Sequence, residues 1–145
     1  MEILLSVLHI AGAVFIVGPM AILPMSAMRA MRAGEAGAVK SFATSTSVLS
    51  LSSLLVAVFG FGLVGLADEE YELSLSTPWL LASIIVYVAA LALSLFLVVP
   101  ALRAAAAGLG TEGFSVDSAY RRVAIGSGIT AVLLVAVAIL MIWKP

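Results

Sequence analysis

Apolar residues come in four long runs along this chain, near Ile3–Met25, Val48–Ala67, Trp79–Leu102 and Val123–Trp143. Each run is about the length a helix needs to cross a bilayer, roughly 20 residues at 1.5 Å rise. The pattern predicts an all-α fold, a bundle of four transmembrane helices forming a single domain over residues 1–145. Two local signals refine it. Thr77-Pro78 is predicted to open the third helix, Thr77 by capping free N–H groups and Pro78 at the first helical position. Gly18-Pro19 and Pro24 predict a bend in the first helix, because proline removes a ladder bond and clashes with the preceding turn. The freed carbonyls near Phe15 and Met20 then need other partners.

The polar segments between the runs sort by charge. Ser26–Ser47 holds Arg29, Arg32 and Lys40 against Glu35, and Arg103–Arg122 holds Arg103, Arg121 and Arg122 against Glu112 and Asp117. Asp68–Pro78 holds Asp68, Glu69, Glu70 and Glu72 and no basic residue. Lys and Arg beside helix ends favour the cytoplasmic side. The expectation is a multi-pass protein of a bacterial inner (plasma) membrane. The first and third loops then face the cytoplasm, and the second loop and both termini lie outside. Trp79 and Trp143 fall at the outer ends, and Tyr120 at an inner end, as interfacial aromatic residues do. Met1-Glu2 supplies no positive leader segment, so the first run is expected to stay as a membrane helix. The stretch Ala33–Ser47 is expected to continue helically at the inner surface, with its Ala residues, Val39 and Phe42 against headgroups beside Lys40.

The two halves share a layout. Pro24-Met-Ser-Ala-Met-Arg29 leads into a Gly-containing basic stretch, and so does Pro100-Ala-Leu-Arg103. Two helices per unit return the chain to the same side, which predicts a 2+2 parallel internal repeat about an axis along the membrane normal.

Composition narrows the chemistry. The chain is 63% hydrophobic and 10% charged, with mean hydropathy +1.25. A soluble domain carries about 25% charged residues. A net charge of −1 offers no basic surface for nucleic acid. With no Cys, disulfides, thiol catalysis, Cys-ligated zinc and iron–sulfur clusters are out of reach. No Asp or Glu falls within the runs, which disfavours proton coupling through a buried carboxylate. No nucleophile triad, phosphate loop or His/Glu metal motif is present, so an enzyme is the weaker reading. The acidic stretch Asp68–Glu72 lacks the alternating oxygens and Gly of a calcium loop and reads as a solvated outer loop.

Lipid provides no hydrophobic drive between helices, so small and polar residues must hold the bundle. Gly60, Gly62 and Gly65 in the second run and Gly126 and Gly128 in the fourth are expected packing positions, and equally surfaces for self-association. His9, the one histidine, is the ionisable group set inside a run. Counting inward from the outer ends puts it at the depth of Gly60 on the second helix and Ser83 or Tyr87 on the third. An interhelical hydrogen bond from His9 to Tyr87 or Ser83 is therefore expected, with Gly60 and Gly62 leaving room for the ring. The competing reading makes His9 a haem or copper ligand; Met20, Met25, Met28 and Met31 lie too far inward to join it, and Met141 is shallower.

The string Leu8-His9-Ile10-Ala11-Gly12-Ala13-Val14-Phe15-Ile16-Val17-Gly18, with a glycine nine residues after the histidine, resembles the opening helix of several small bacterial membrane families. In size, helix count and first-helix pattern the chain resembles the integral membrane family known as domain of unknown function 2269. The first helix is also similar to that of copper-resistance D proteins and HemJ-type protoporphyrinogen oxidases. The last of these imply haem held by membrane histidines, and only His9 is available to carry that over. The reading that combines these features is a non-enzymatic structural or accessory bundle without a cofactor, working in the lipid bilayer as a homo-oligomer or beside a membrane-protein partner. Two alternatives stand beside it: a haem- or metal-binding redox protein using His9, and an oligomeric transporter or channel.

Overall fold

The computed structural model describes residues 1–67 and 73–145. Four long helices cross the molecule: α1 (Glu2–Arg32), α2 (Ala36–Leu66), α3 (Pro78–Gly108) and α4 (Val116–Trp143). No strand forms among the described residues. The acidic stretch 68–72 lies outside them.

Each helix is longer than the apolar run that announces it. A 31-residue helix such as α1 is roughly 46 Å long, close to the full bilayer with its headgroups. The apolar run marks only the hydrocarbon portion; Ala, Gly and Arg carry the same hydrogen-bonded ladder on into the headgroup layer. The stretch expected at the inner surface is therefore the start of α2 itself. Val39, Ala43 and Thr46 are buried in the bundle. Val39 and Ala43 pack with Met31, Leu102 and Val123. Membrane-surface helices need one free apolar face, and here that face is taken by the other three helices. The α1–α2 connection shrinks to a tight turn in which Gly34 adopts φ +74°, a left-handed conformation suited to glycine.

The bundle is tightest at the end that carries six of the seven Arg and Lys side chains, here the basic end. There Ala27, Ala30 and Met31 of α1, Val39 and Ala43 of α2, Val98, Leu102 and Ala105 of α3, and Val123 of α4 form one core. Arg32 lies over the Tyr120 ring, 4.1 Å from its centroid, and ties α1 to α4. A second cluster around Met20, Ala90 and Leu134 fills the middle. Towards the opposite end, which carries both chain termini, the bundle separates into pairs. The terminal half of α1 packs chiefly on α2, and that of α3 on α4. No residue of Glu2–Gly12 is buried.

The helix starts differ in their capping. Pro78 sits in the first turn of α3, but the Thr77 side chain makes no cap bond. Its Oγ1 accepts instead from the Ser74 N–H at 3.1 Å. Ser115 caps α4, accepting from the Ser118 N–H at 3.2 Å.

The prolines act through the helix ladder. Just before Pro19 the turn widens into a π segment, Ala13–Val17, whose next N–H, that of Gly18, donates to the Ala13 carbonyl. The same happens in α3 at Ser94–Val98, just before Pro100, where the Val99 N–H donates to the Ser94 carbonyl. A proline ring clashes with the carbonyl four residues back, and widening by one residue moves that carbonyl aside. The residues concerned are Phe15-Ile-Val-Gly-Pro19 and Phe96-Leu-Val-Val-Pro100. The local correspondence between α1 and α3 thus pairs Pro19, not Pro24, with Pro100. Pro24 is buried inside α1 and has no π segment before it.

Candidate functional site

His9 projects from the terminal half of α1 onto α2. Its Nδ1 lies 2.8 Å from the Val56 carbonyl oxygen. A carbonyl only accepts, so Nδ1 carries the hydrogen and donates it. With that proton on Nδ1, Nε2 presents a lone pair, and no described residue gives it a hydrogen bond.

Gly60 makes this contact feasible. In an α-helix the carbonyl of residue 56 points along the axis towards residue 60, where a side chain would flank it. The missing side chain opens the Val56 oxygen to a second donor and clears space for the ring. A Cβ at position 60 would stand 2.8 Å from His9 Cε1 and 3.1 Å from Nδ1. The same seam continues on both sides. A Cβ at Gly62 would meet Leu5 at 3.1 Å, and one at Gly12 would meet Val56 at 2.6 Å. Small residues on one helix thus receive larger ones from the other, as close packing in lipid requires.

Tyr87 and Ser83 do not meet His9. The Tyr87 hydroxyl is 2.7 Å from Ser53 Oγ, and Ser83 Oγ donates to the Trp79 carbonyl in its own helix at 2.8 Å. The reason is neighbour order: the terminal half of α1 lies on α2, and α3 pairs with α4 at that level. Depth matches between His9 and Tyr87, but the two helices do not touch there.

The α2–α3 interface is instead tied by hydroxyls. Ser50 and Ser94 are 2.8 Å apart. Ser53 Oγ donates to the Ser50 carbonyl at 2.6 Å. A serine hydroxyl has one hydrogen, so Tyr87 must be the donor to Ser53 Oγ. Thr46 and Thr130 turn back onto carbonyls of their own helices, Phe42 at 2.8 Å and Gly126 at 2.9 Å. Among the described residues every buried side-chain polar atom has a partner. The Nε2 of His9, on a half-buried side chain, stands apart from that closed network.

Of the remaining expected packing glycines, Gly126 is buried, with Leu97 and Val98 at 3.0 and 3.1 Å from the position of a Cβ. Among the described residues nothing lies within 4 Å of that position at Gly65 or Gly128.

Sequence reasoning passed over Val56, whose contribution is a backbone oxygen and leaves no residue-type signal. It also passed over the shared Phe-x-Val-x-Pro string, visible in the sequence at residues 15–19 and 96–100. No group of three or more His, Asp or Glu comes together among the described residues.

Four apolar helices pinned by interhelical hydroxyl and imidazole bonds define an integral membrane bundle. Residues 3–145 match the family of predicted integral membrane proteins DUF2269, and the chain belongs to that family. No curated protein and no solved structure matches it.

Proposed function

We propose that this protein is a non-enzymatic accessory bundle, and that the terminal half of α1 is the edge on which a partner transmembrane helix docks. One observation supports the reading above others. Among the described residues the buried side-chain polar atoms are all paired, while His9 holds an open Nε2 lone pair on a half-helix that packs chiefly on α2. A lone acceptor in hydrocarbon is unfavourable, and a donor on a neighbouring helix relieves it. The partner chemistry is a membrane helix with a Ser, Thr or Asn donor at the depth of His9, from another protein or a second copy of this chain. In this reading the basic end faces the cytoplasm, in line with six of the seven basic residues.

The chain has no native Cys, so single cysteines give clean crosslinks. Cys at Ile10, on the exposed side of α1, is expected to crosslink to a second polypeptide in native membranes. Cys at Val132 on α4 is not, and His9→Ala should weaken the α1 crosslink. Monomer alone from every α1 position overturns the reading.

A second reading rests on the same geometry. An Nδ1–H donated to a backbone carbonyl, with Nε2 free, is how a metal-ligating histidine is commonly oriented. Haem iron or copper would take Nε2 of His9, and any further protein nitrogen would have to come from another copy of His9. A Soret band in protein purified from haem-replete cells, lost in His9→Ala, supports it. A colourless preparation from the same cells rules out haem.

A further inference from the structure

A groove of about 480 Å³ opens between the basic ends of α2 and α3. Its walls are low because Ala36 and Gly37 begin α2 and Ala106 and Ala107 end α3. Two cationic side chains line it, Lys40 from α2 and Arg103 from α3, and no carboxylate does. Glu35 precedes Ala36 in the chain but is not part of the lining. Both cations are exposed, and neither forms an ion pair among the described residues. Thr44 turns its hydroxyl back to the Lys40 carbonyl at 3.1 Å. Two like charges from separate helices thus share one groove, and their repulsion is relieved by an anion placed between them. The α2 N-terminus adds to the attraction, since Glu35 makes no side-chain cap bond and the Gly37 and Ala38 N–H groups have no partner among the described residues.

An apolar track continues from the groove. Val48 and Leu51 lie 8 and 11 residues beyond Lys40, on the same face of α2. Both are more than half exposed, at 56% and 53%. Phe96 lies two turns before Arg103 along α3 and is 81% exposed. The groove itself falls where apolar residues give way to charged ones, the level of lipid headgroups. A cationic groove at headgroup level above exposed apolar side chains matches the two parts of a phospholipid.

We propose that this groove binds an anionic phospholipid, with its phosphate between Lys40 and Arg103 and its acyl chains along Val48, Leu51 and Phe96. This site is separate from the α1 edge and stands or falls independently of it.

The test is lipid binding by the purified full chain, read by native mass spectrometry with phosphatidylglycerol and phosphatidylcholine in competition. Wild type should retain phosphatidylglycerol with about tenfold or greater preference. The K40Q/R103Q double variant should lose that preference. The R29Q/R121Q double variant makes the same change of charge at the same end, outside the groove, and should keep it. Gly37→Leu keeps both cations but fills the groove; open space surrounds a Cβ there, so the helix tolerates it, and binding should fall as in K40Q/R103Q. Equal retention of the two lipids by wild type overturns the proposal. So does an equal loss in R29Q/R121Q, which would reveal diffuse attraction only. Displacement of the lipid by millimolar inorganic phosphate would mark a free-anion site and overturn it as well.

Discussion

His9 donates its Nδ1 hydrogen to the Val56 carbonyl across 2.8 Å, and it reaches that oxygen because position 60 is glycine. A Cβ there would stand 2.8 Å from the imidazole. Gly60→Ala should therefore push the ring off the carbonyl and cost about 1–2 kcal/mol, from overpacking and the lost hydrogen bond. His9→Ala in the same background removes the ring that clashes, so the double variant should be more stable than the sum of the single losses predicts. Unfolding in mixed micelles of dodecyl sulfate measures this. Strict additivity would mean that the two residues do not share the contact.

The Tyr87 hydroxyl donates a hydrogen bond to Ser53 Oγ, which donates in turn to the Ser50 carbonyl. Tyr87→Phe should cost about 0.6–1 kcal/mol, the usual worth of a hydrogen bond between membrane helices. Ser53→Ala should cost more, about 1–2 kcal/mol, because the Tyr87 hydroxyl is left without an acceptor. The order of the two losses in the same unfolding assay is the check; a reversed order would contradict the direction of donation.

The π segment Ala13–Val17 holds one residue more than an α-helical turn needs. Deleting Val14 should remove the extra residue and leave both flanking halves of α1 in register; the Pro19 ring then presses on the carbonyl four residues back, so the protein should stay folded with reduced stability. Deleting Ile22, equally exposed at 60% but in regular helix, rotates one half by about 100° against the other. That variant should aggregate or lose cooperative unfolding. Size-exclusion chromatography and thermal unfolding in detergent separate the outcomes.

Arg32 stacks on Tyr120 at the basic end, 4.1 Å from the ring centroid. Tyr120→Leu and Arg32→Gln should each cost about 0.5–1 kcal/mol, the range for an exposed cation–π pair. Combined in one protein they should cost little more than either alone. A full sum in equilibrium unfolding would show that the stacking contributes nothing.

Much of the fold was legible in residue order. Hydrophobic length sets how many times the chain crosses, and counting inward from each run sets depth. His9, Gly60 and Tyr87 were all placed at one depth. Which of them meet was not legible, because depth is a one-dimensional coordinate and neighbour order around the bundle is not. The structure puts Gly60 under the ring and turns Tyr87 towards Ser53. The start of α2 reads as helix from pattern alone, but its burial does not. Val39 and Phe42 beside Lys40 have the look of a surface helix, and only the presence of Met31, Leu102 and Val123 around Val39 buries it.

By itself the sequence determined the solvent, the number of spans and the sorting of charge, since each follows from the free energy of moving a residue between water and lipid. It also determined that His9 is the ionisable side chain within the apolar runs. Tertiary structure alone decided the partners: the Val56 oxygen for His9, Ser53 for Tyr87, and an exposed groove shared by Lys40 and Arg103. Those outcomes depend on the rotation of each helix about its axis and on small π widenings before Pro19 and Pro100. In lipid, where all apolar faces are nearly equivalent, close packing and a few hydrogen bonds choose that rotation.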